Sequence, residues 1–105
     1  MNDVIEKYQK LLERYPDNEL ARFSLGKALY DAGQFVPAKE QFEIALRKKP
    51  DWMVVQILLG KCELSQGNRV AALVAFERAR HLAIEQNHEG PREEMVRLLA
   101  EMASP

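Results

Sequence analysis

The chain has 105 residues, 47% of them hydrophobic and 30% charged, with 15 Lys plus Arg against 16 Asp plus Glu for a net charge of -1. That length supports one domain around one hydrophobic core, and the composition excludes a disordered charged tail. The balanced charge argues against a nucleic-acid binder that grips phosphates, and no apolar run approaches the roughly 18–20 residues of a membrane span. Cys62 stands alone, so no internal disulfide framework is possible. The opening Met1–Lys10 stretch carries acids and lacks an apolar signal core, so a cytoplasmic location is expected.

Asn2 or Asp3 can cap a first helix whose apolar residues are Val4, Ile5, Tyr8, Leu11 and Leu12, stopped near Pro16. A second helix is predicted from Glu19 to Ala32, with Leu20, Ala21, Phe23, Leu25, Ala28 and Leu29 at helical spacing. Gly33-Gln34 ends it, because Gly readily takes the left-handed backbone that closes a helix. The third helix tolerates Pro37 in its first turn and puts Phe35, Ala38, Phe42, Ala45 and Leu46 on one face. Pro50-Asp51 stops it, with Asp51 placed to cap the next helix. The fourth and fifth helices repeat this grammar around Gly67-Asn68. Asn87-His88-Glu89-Gly90 then predicts a turn, with Pro91 at the first position of a sixth helix. There Met95, Leu98, Leu99 and Met102 share a face, while Arg92, Glu94, Arg97 and Glu101 are polar.

Internal repetition organises these elements. Shifted by thirty-four residues, Leu25-Gly26-Lys27 falls on Leu59-Gly60-Lys61, Gly33 on Gly67 and Ala38 on Ala72. Phe42-Glu43 likewise falls on Phe76-Glu77 and Ala45 on Ala79. The small residues let two helices approach closely, while Phe42 and Phe76 fill the space beside them. Leu25, Gly26, Ala38, Phe42, Ala45 and Pro50 in the first copy, with Leu59, Gly60, Ala72, Phe76 and Ala79 in the second, resemble the tetratricopeptide repeat. The departures are Arg22 and Gln56 where that family favours Trp, and Leu29 and Glu63 where it favours Tyr. Glu63 is the least comfortable, since its site usually packs inside the hairpin. Ile84 stands where the first copy has Pro50, which predicts a longer fifth helix.

The resemblance implies an all-α superhelix of stacked antiparallel helix hairpins, about six helices, in a single domain over 1–105. Residues 1–18 form a partial repeat, 19–52 the first repeat, 53–86 the second, and 87–105 a C-terminal capping helix. In that family the first helix of each hairpin lines a concave ligand surface. Carried over, this assigns Leu20, Phe23, Lys27, Tyr30 and Asp31 from the first unit, and Val54, Ile57, Lys61, Leu64 and Ser65 from the second. The result is an apolar furrow with two lysines in register, holding more apolar surface than a monomer usually leaves bare. The expected function is therefore a non-enzymatic protein-interaction module, an adaptor or scaffold that binds a peptide or amphipathic helix of another protein. The alternative covers are the chain's own sixth helix and a second copy in a homodimer. Secretion-type chaperoning rests on analogy alone. Some members clamp C-terminal carboxylates with Lys and Asn; the matching sites here hold Phe23, Lys27 and Leu58, so that activity is not expected.

No cofactor or metal is expected. Cys62 aligns with Ala28 at a small-residue site and reads as a packed thiol, with no His nearby in sequence to act as base. His81, Glu85 and His88 could share a helix face able to seat a metal, but Asn87 and Gly90 favour fraying there. Glu93-Glu94 complements a helix start, and Arg47-Lys48-Lys49 and Arg78–His81 lie near helix ends where cations are favourable. Phosphate loops, nucleophile elbows and zinc-finger spacings are all lacking, which speaks against an enzyme. Trp52 either packs over the joint between repeats or anchors a partner.

Overall fold

The computed structural model describes residues 2–103 and consists of six helices with no strand among the described residues. These are α1 (Asp3–Arg14), α2 (Glu19–Asp31), α3 (Phe35–Lys48), α4 (Met53–Ser65), α5 (Arg69–Glu85) and α6 (Glu89–Ala103). Met1, Ser104 and Pro105, at the outer ends of the first and last segments assigned above, lie outside the described residues. Each helix packs mainly on its chain neighbours, and α2 also touches α4, giving an elongated stack of 43 × 28 × 20 Å.

The two hairpins, α2/α3 and α4/α5, are built alike because the same residues recur. A Cβ at Gly26 would lie 2.5 Å from Cε1 of Phe42, and one at Gly60 would lie 2.5 Å from Cε1 of Phe76. Glycine at these sites lets the fully buried phenyl rings press against the facing helix backbone. The reversals match as well: Gly33 and Gly67 take φ of 77° and 79°. Behind them Gln34 N–H donates to Leu29 C=O at 2.9 Å, and Asn68 N–H to Glu63 C=O at 2.8 Å. These bonds close the last helical turn in the manner that favours glycine.

Two helix starts differ from expectation. Asp51 does not cap α4: Trp52 holds the cap position without a side-chain bond, and the Asp51 carbonyl instead accepts from Gln86 Nε2 at 3.0 Å. α6 begins at Glu89, two residues ahead of Pro91, because Asn87 completes the turn alone with φ of 56°. At the first helix, Asn2 rather than Asp3 is the cap, its Oδ1 accepting from Val4 and Ile5 N–H at 3.0 and 3.3 Å. α5 runs 17 residues against 14 in α3, as the missing proline predicts.

The sequence departures have physical substitutes. Arg22 donates to Gln41 Oε1 at 2.8 Å and to the Pro16 carbonyl at 2.9 Å, tying α2 to α3 and to the loop before it. Asp17 in that loop pairs with Lys48 at 2.6 Å, and the ammonium holds its carboxyl below the usual range. Glu63 is buried, with Lys39 Nζ at 2.9 Å and Asn68 Nδ2 at 3.5 Å. A buried carboxylate thus keeps a cation beside it. The hydrogen bond to Glu63 in turn raises the pKa of Lys39.

Candidate functional site

α2 and α4 carry the ten residues assigned to the furrow, and the structure treats them unequally. Leu20 is 72% exposed, and Val54 and Leu64 are also exposed. Leu20 and Val54 occupy equivalent positions one repeat apart on touching helices, as do Tyr30 and Leu64. Tyr30 is partly buried, edge-on to Phe35 with ring centroids 5.5 Å apart. Phe23 stacks on Trp52 at 5.4 Å with 28° between the planes, and Lys49 lies over the indole at 5.2 Å. The pair sits where α2 meets the start of α4, so Trp52 packs over the joint between repeats.

Lys27 spends its charge locally, 2.8 and 2.9 Å from the two carboxylate oxygens of Asp31 one turn on. Lys61 faces Glu94 of α6 at 4.0 Å. Ser65 is exposed at the end of α4. Ile57 departs from the expectation of an open groove residue. It is 7% exposed and packs in one cluster with Met95 and Met102 of α6. The unbranched thioether side chains of α6, which is seated on α5, reach across to it. The sixth helix therefore covers the middle of the second unit and leaves Leu20, Val54 and Leu64 open.

Sequence reasoning missed that α1 contributes to this region. Val4 and Tyr8 join Phe23, Lys27 and Asp31 around a cleft of about 380 Å³ between α1 and α2. The signal was present, since Tyr8 falls on Phe42 and Pro16 on Pro50 at the repeat offset. A second groove of about 530 Å³ runs between α3 and α5, bordered by Lys39, Leu59, Glu63, Val74 and Arg78.

The remaining reactive groups are placed for packing or solvation. Cys62 is fully buried, and burial pushes its thiol up to about 11, so the thiolate a nucleophile needs is disfavoured at neutral pH. His81 pairs with Glu85 at 3.2 Å on the exposed side of α5. His88 lies beyond the left-handed Asn87, past the end of that helix, so the three groups do not share one helix face. No group of three His, Cys, Asp or Glu among the described residues could hold a metal ion. No described helix is long and apolar enough to cross a membrane.

Known proteins share this fold. The sequence pattern of the tetratricopeptide repeat matches residues 5–51 and again 25–87. The TPR repeat-containing protein PA0015 of Pseudomonas aeruginosa is 30% identical over 99 residues, covering 94% of each chain. The solution structure of protein BPP2914 from Bordetella parapertussis superposes with a TM-score of 0.86 at 30% identity, over 98% of this chain and 90% of that one. PcrH from Pseudomonas aeruginosa, in complex with the chaperone binding region of PopD, shares the fold with a TM-score of 0.88 at 20% identity. That match covers 95% of this chain and 76% of PcrH.

Proposed function

We propose that this chain, which belongs to the tetratricopeptide repeat family, is a non-enzymatic module that holds a segment of another polypeptide along the wall formed by α2 and α4. The observation that carries the reading is the exposure of Leu20, Val54 and Leu64 on two touching helices whose other large apolar residues are mostly buried. Apolar side chains kept in water one repeat apart suit a ligand that places apolar residues at similar intervals. Lys27 and Asp31 flank this strip as a polar edge that sets ligand orientation more than affinity. PcrH, of the same fold, takes a region of another polypeptide, which supports a protein ligand here. On this reading residues 19–52 and 53–86 are the complete repeats, and 1–18 and 87–105 the flanking half-repeat and cap. The cap over Ile57 favours partial self-covering alongside ligand binding. An adaptor or scaffold role in the cytoplasm is part of this reading.

A displayed library of random peptides selected on the wild-type chain tests this. Selected peptides should carry spaced apolar residues and lose about tenfold or more in affinity for Leu20→Glu and for Leu64→Glu. They should bind Val74→Glu, altered on the exposed outer side of α5, as tightly as wild type. Peptides indifferent to both wall variants would overturn the assignment.

A further inference from the structure

α1 has the form of a second hairpin helix that lacks its first-helix partner among the described residues. Moved thirty-four residues on, Val4 falls on Ala38, Tyr8 on Phe42, Leu11 on Ala45 and Leu12 on Leu46. Ala38, Phe42 and Ala45 are buried in the hairpin that α3 forms with α2, whereas Val4 is 51% exposed and Tyr8 and Leu11 are only partly covered. α2 shows the same gap from its own side. Leu58 and Cys62 of α4 are buried in the cluster that includes Leu25 and Leu29 of α2. Their counterparts Ser24 and Ala28 instead line the cleft of about 380 Å³ with Val4 and Tyr8. That cleft has the position of a first helix placed ahead of α2.

The opposite end of the stack presents such a helix. Moved forty residues on, Val55 falls on Met95, Leu58 on Leu98, Leu59 on Leu99, Gly60 on Ala100 and Cys62 on Met102. Burial follows this register: Val55 and Cys62 are inside, and so are Met95 and Met102. Val96, Ala100 and Ala103 then form the face that in α4 is closed by α5, where Gly60 lies under Phe76. In α6 no described helix packs on this face as α5 does on α4, and Val96 is 49% exposed above a cavity of about 530 Å³.

We propose that the two ends fit each other, so that α6 of one copy fills the cleft beside α1 of the next and the chain associates head to tail. The shared pair reproduces the internal hairpins: Ala100 faces Tyr8 of the next copy as Gly60 faces Phe76, Val96 meets Leu11 and Leu12, and Ala103 meets Val4. Ala100 adds one methyl where the internal hairpins have glycine, so this pair sits slightly wider and is readily reversible. A net charge of -1 leaves little long-range repulsion between copies. Unlike ends meeting in this way leave each pair with one free end of either kind, so further copies add as concentration rises. The cleft shares Phe23, Lys27 and Asp31 with the ligand wall, and the two readings are separated by their tests, self-association for Val4 and Val96 and peptide affinity for Leu20 and Leu64.

Sedimentation velocity with light scattering from about 10 µM to about 1 mM, the range of a weak reversible contact, tests it. The weight-average mass of the wild type should climb above the 12.1 kDa of one chain as concentration rises. Val4→Glu and Val96→Glu, each at an exposed helix position, should keep the circular dichroism of the wild type and stay monomeric when alone. Mixed in equal amounts they should form a dimer and stop there, because each brings one intact end. Val4→Lys and Val96→Lys replace them if either glutamate disturbs its helix. A wild type monomeric throughout, association by either variant alone, or a mixture that stays monomeric while the wild type associates would each overturn the proposal.

Discussion

Replacing Lys39 with Met removes the ammonium that lies 2.9 Å from Glu63 Oε1 and leaves a carboxylate whose side chain is 8% exposed. Two unit charges at that distance attract by about 6 kcal/mol at an effective dielectric near 20. Withdrawing the carboxylate from water consumes much of this, so the pair's net value is far smaller than its gross attraction. Breaking a fully buried pair costs roughly 3–5 kcal/mol. Lys39 is 31% exposed, so water can enter from its side once it is truncated. Lys39→Met should therefore lose about 2 kcal/mol in urea unfolding at pH 7. Because Glu63 raises the pKa of Lys39 in the folded state, the pair's contribution is complete below the ordinary lysine value of 10.5. It is lost as pH rises through the higher folded value, and there the variant and wild type should converge. Adding Glu63→Leu to Lys39→Met should restore most of the stability, since an apolar side chain suits the hairpin interior. A single variant within about 0.5 kcal/mol of wild type, or a double variant weaker than the single, would refute the reasoning.

Gly60→Ala should cost about 2 kcal/mol because the added Cβ meets the Phe76 ring, while Gly90→Ala, with nothing within 4 Å, should be neutral or slightly stabilising. Equal melting temperatures for the two variants would contradict the close approach. Met95→Ala should lose about 3 kcal/mol and strip hydrogen-exchange protection from α6, because Met95 is fully buried against the Ile57 cluster. Retained protection would show that α6 is anchored elsewhere. Cys62 should react with Ellman's reagent at pH 8 about a hundredfold faster in urea than in the native chain. Stability should also decline between pH 9 and 11, as the unfolded chain gives up the thiol proton first; immediate native labelling would rule this out. Phe23→Ala should lose about 1–2 kcal/mol and shift Trp52 emission to the red by unstacking the indole, and an unchanged spectrum would remove that contact.

Part of the candidate site was legible before any coordinates. The family resemblance assigned Leu20, Val54, Tyr30 and Leu64 to one surface, and the repeat offset puts them at equivalent positions, since equal spacing on equal helices leads to equal faces. The offset could not say which of those positions would be covered. Ile57 and Phe23 are equivalent in sequence, yet one lies against the methionines of α6 and the other against Trp52. Their difference depends on what stands at each end of the stack, which a repeat pattern does not encode. Glu63 taught the same lesson inside the hairpin: its carboxylate looked misplaced until the fold brought Lys39 beside it.

Local features were readable from the chain alone, because each depends on neighbours a few residues away. Helix periodicity, the left-handed turns at Gly33 and Gly67 and the stop at Pro50 are of this kind. The folded arrangement selected the partners of groups far apart along the chain. It set Arg22 on Gln41, Lys39 on Glu63 and the methionines of α6 on Ile57, and it left Val4 and Val96 open at opposite ends. Those outcomes follow from the relative placement of whole helices, to which many weak packing contacts contribute at once.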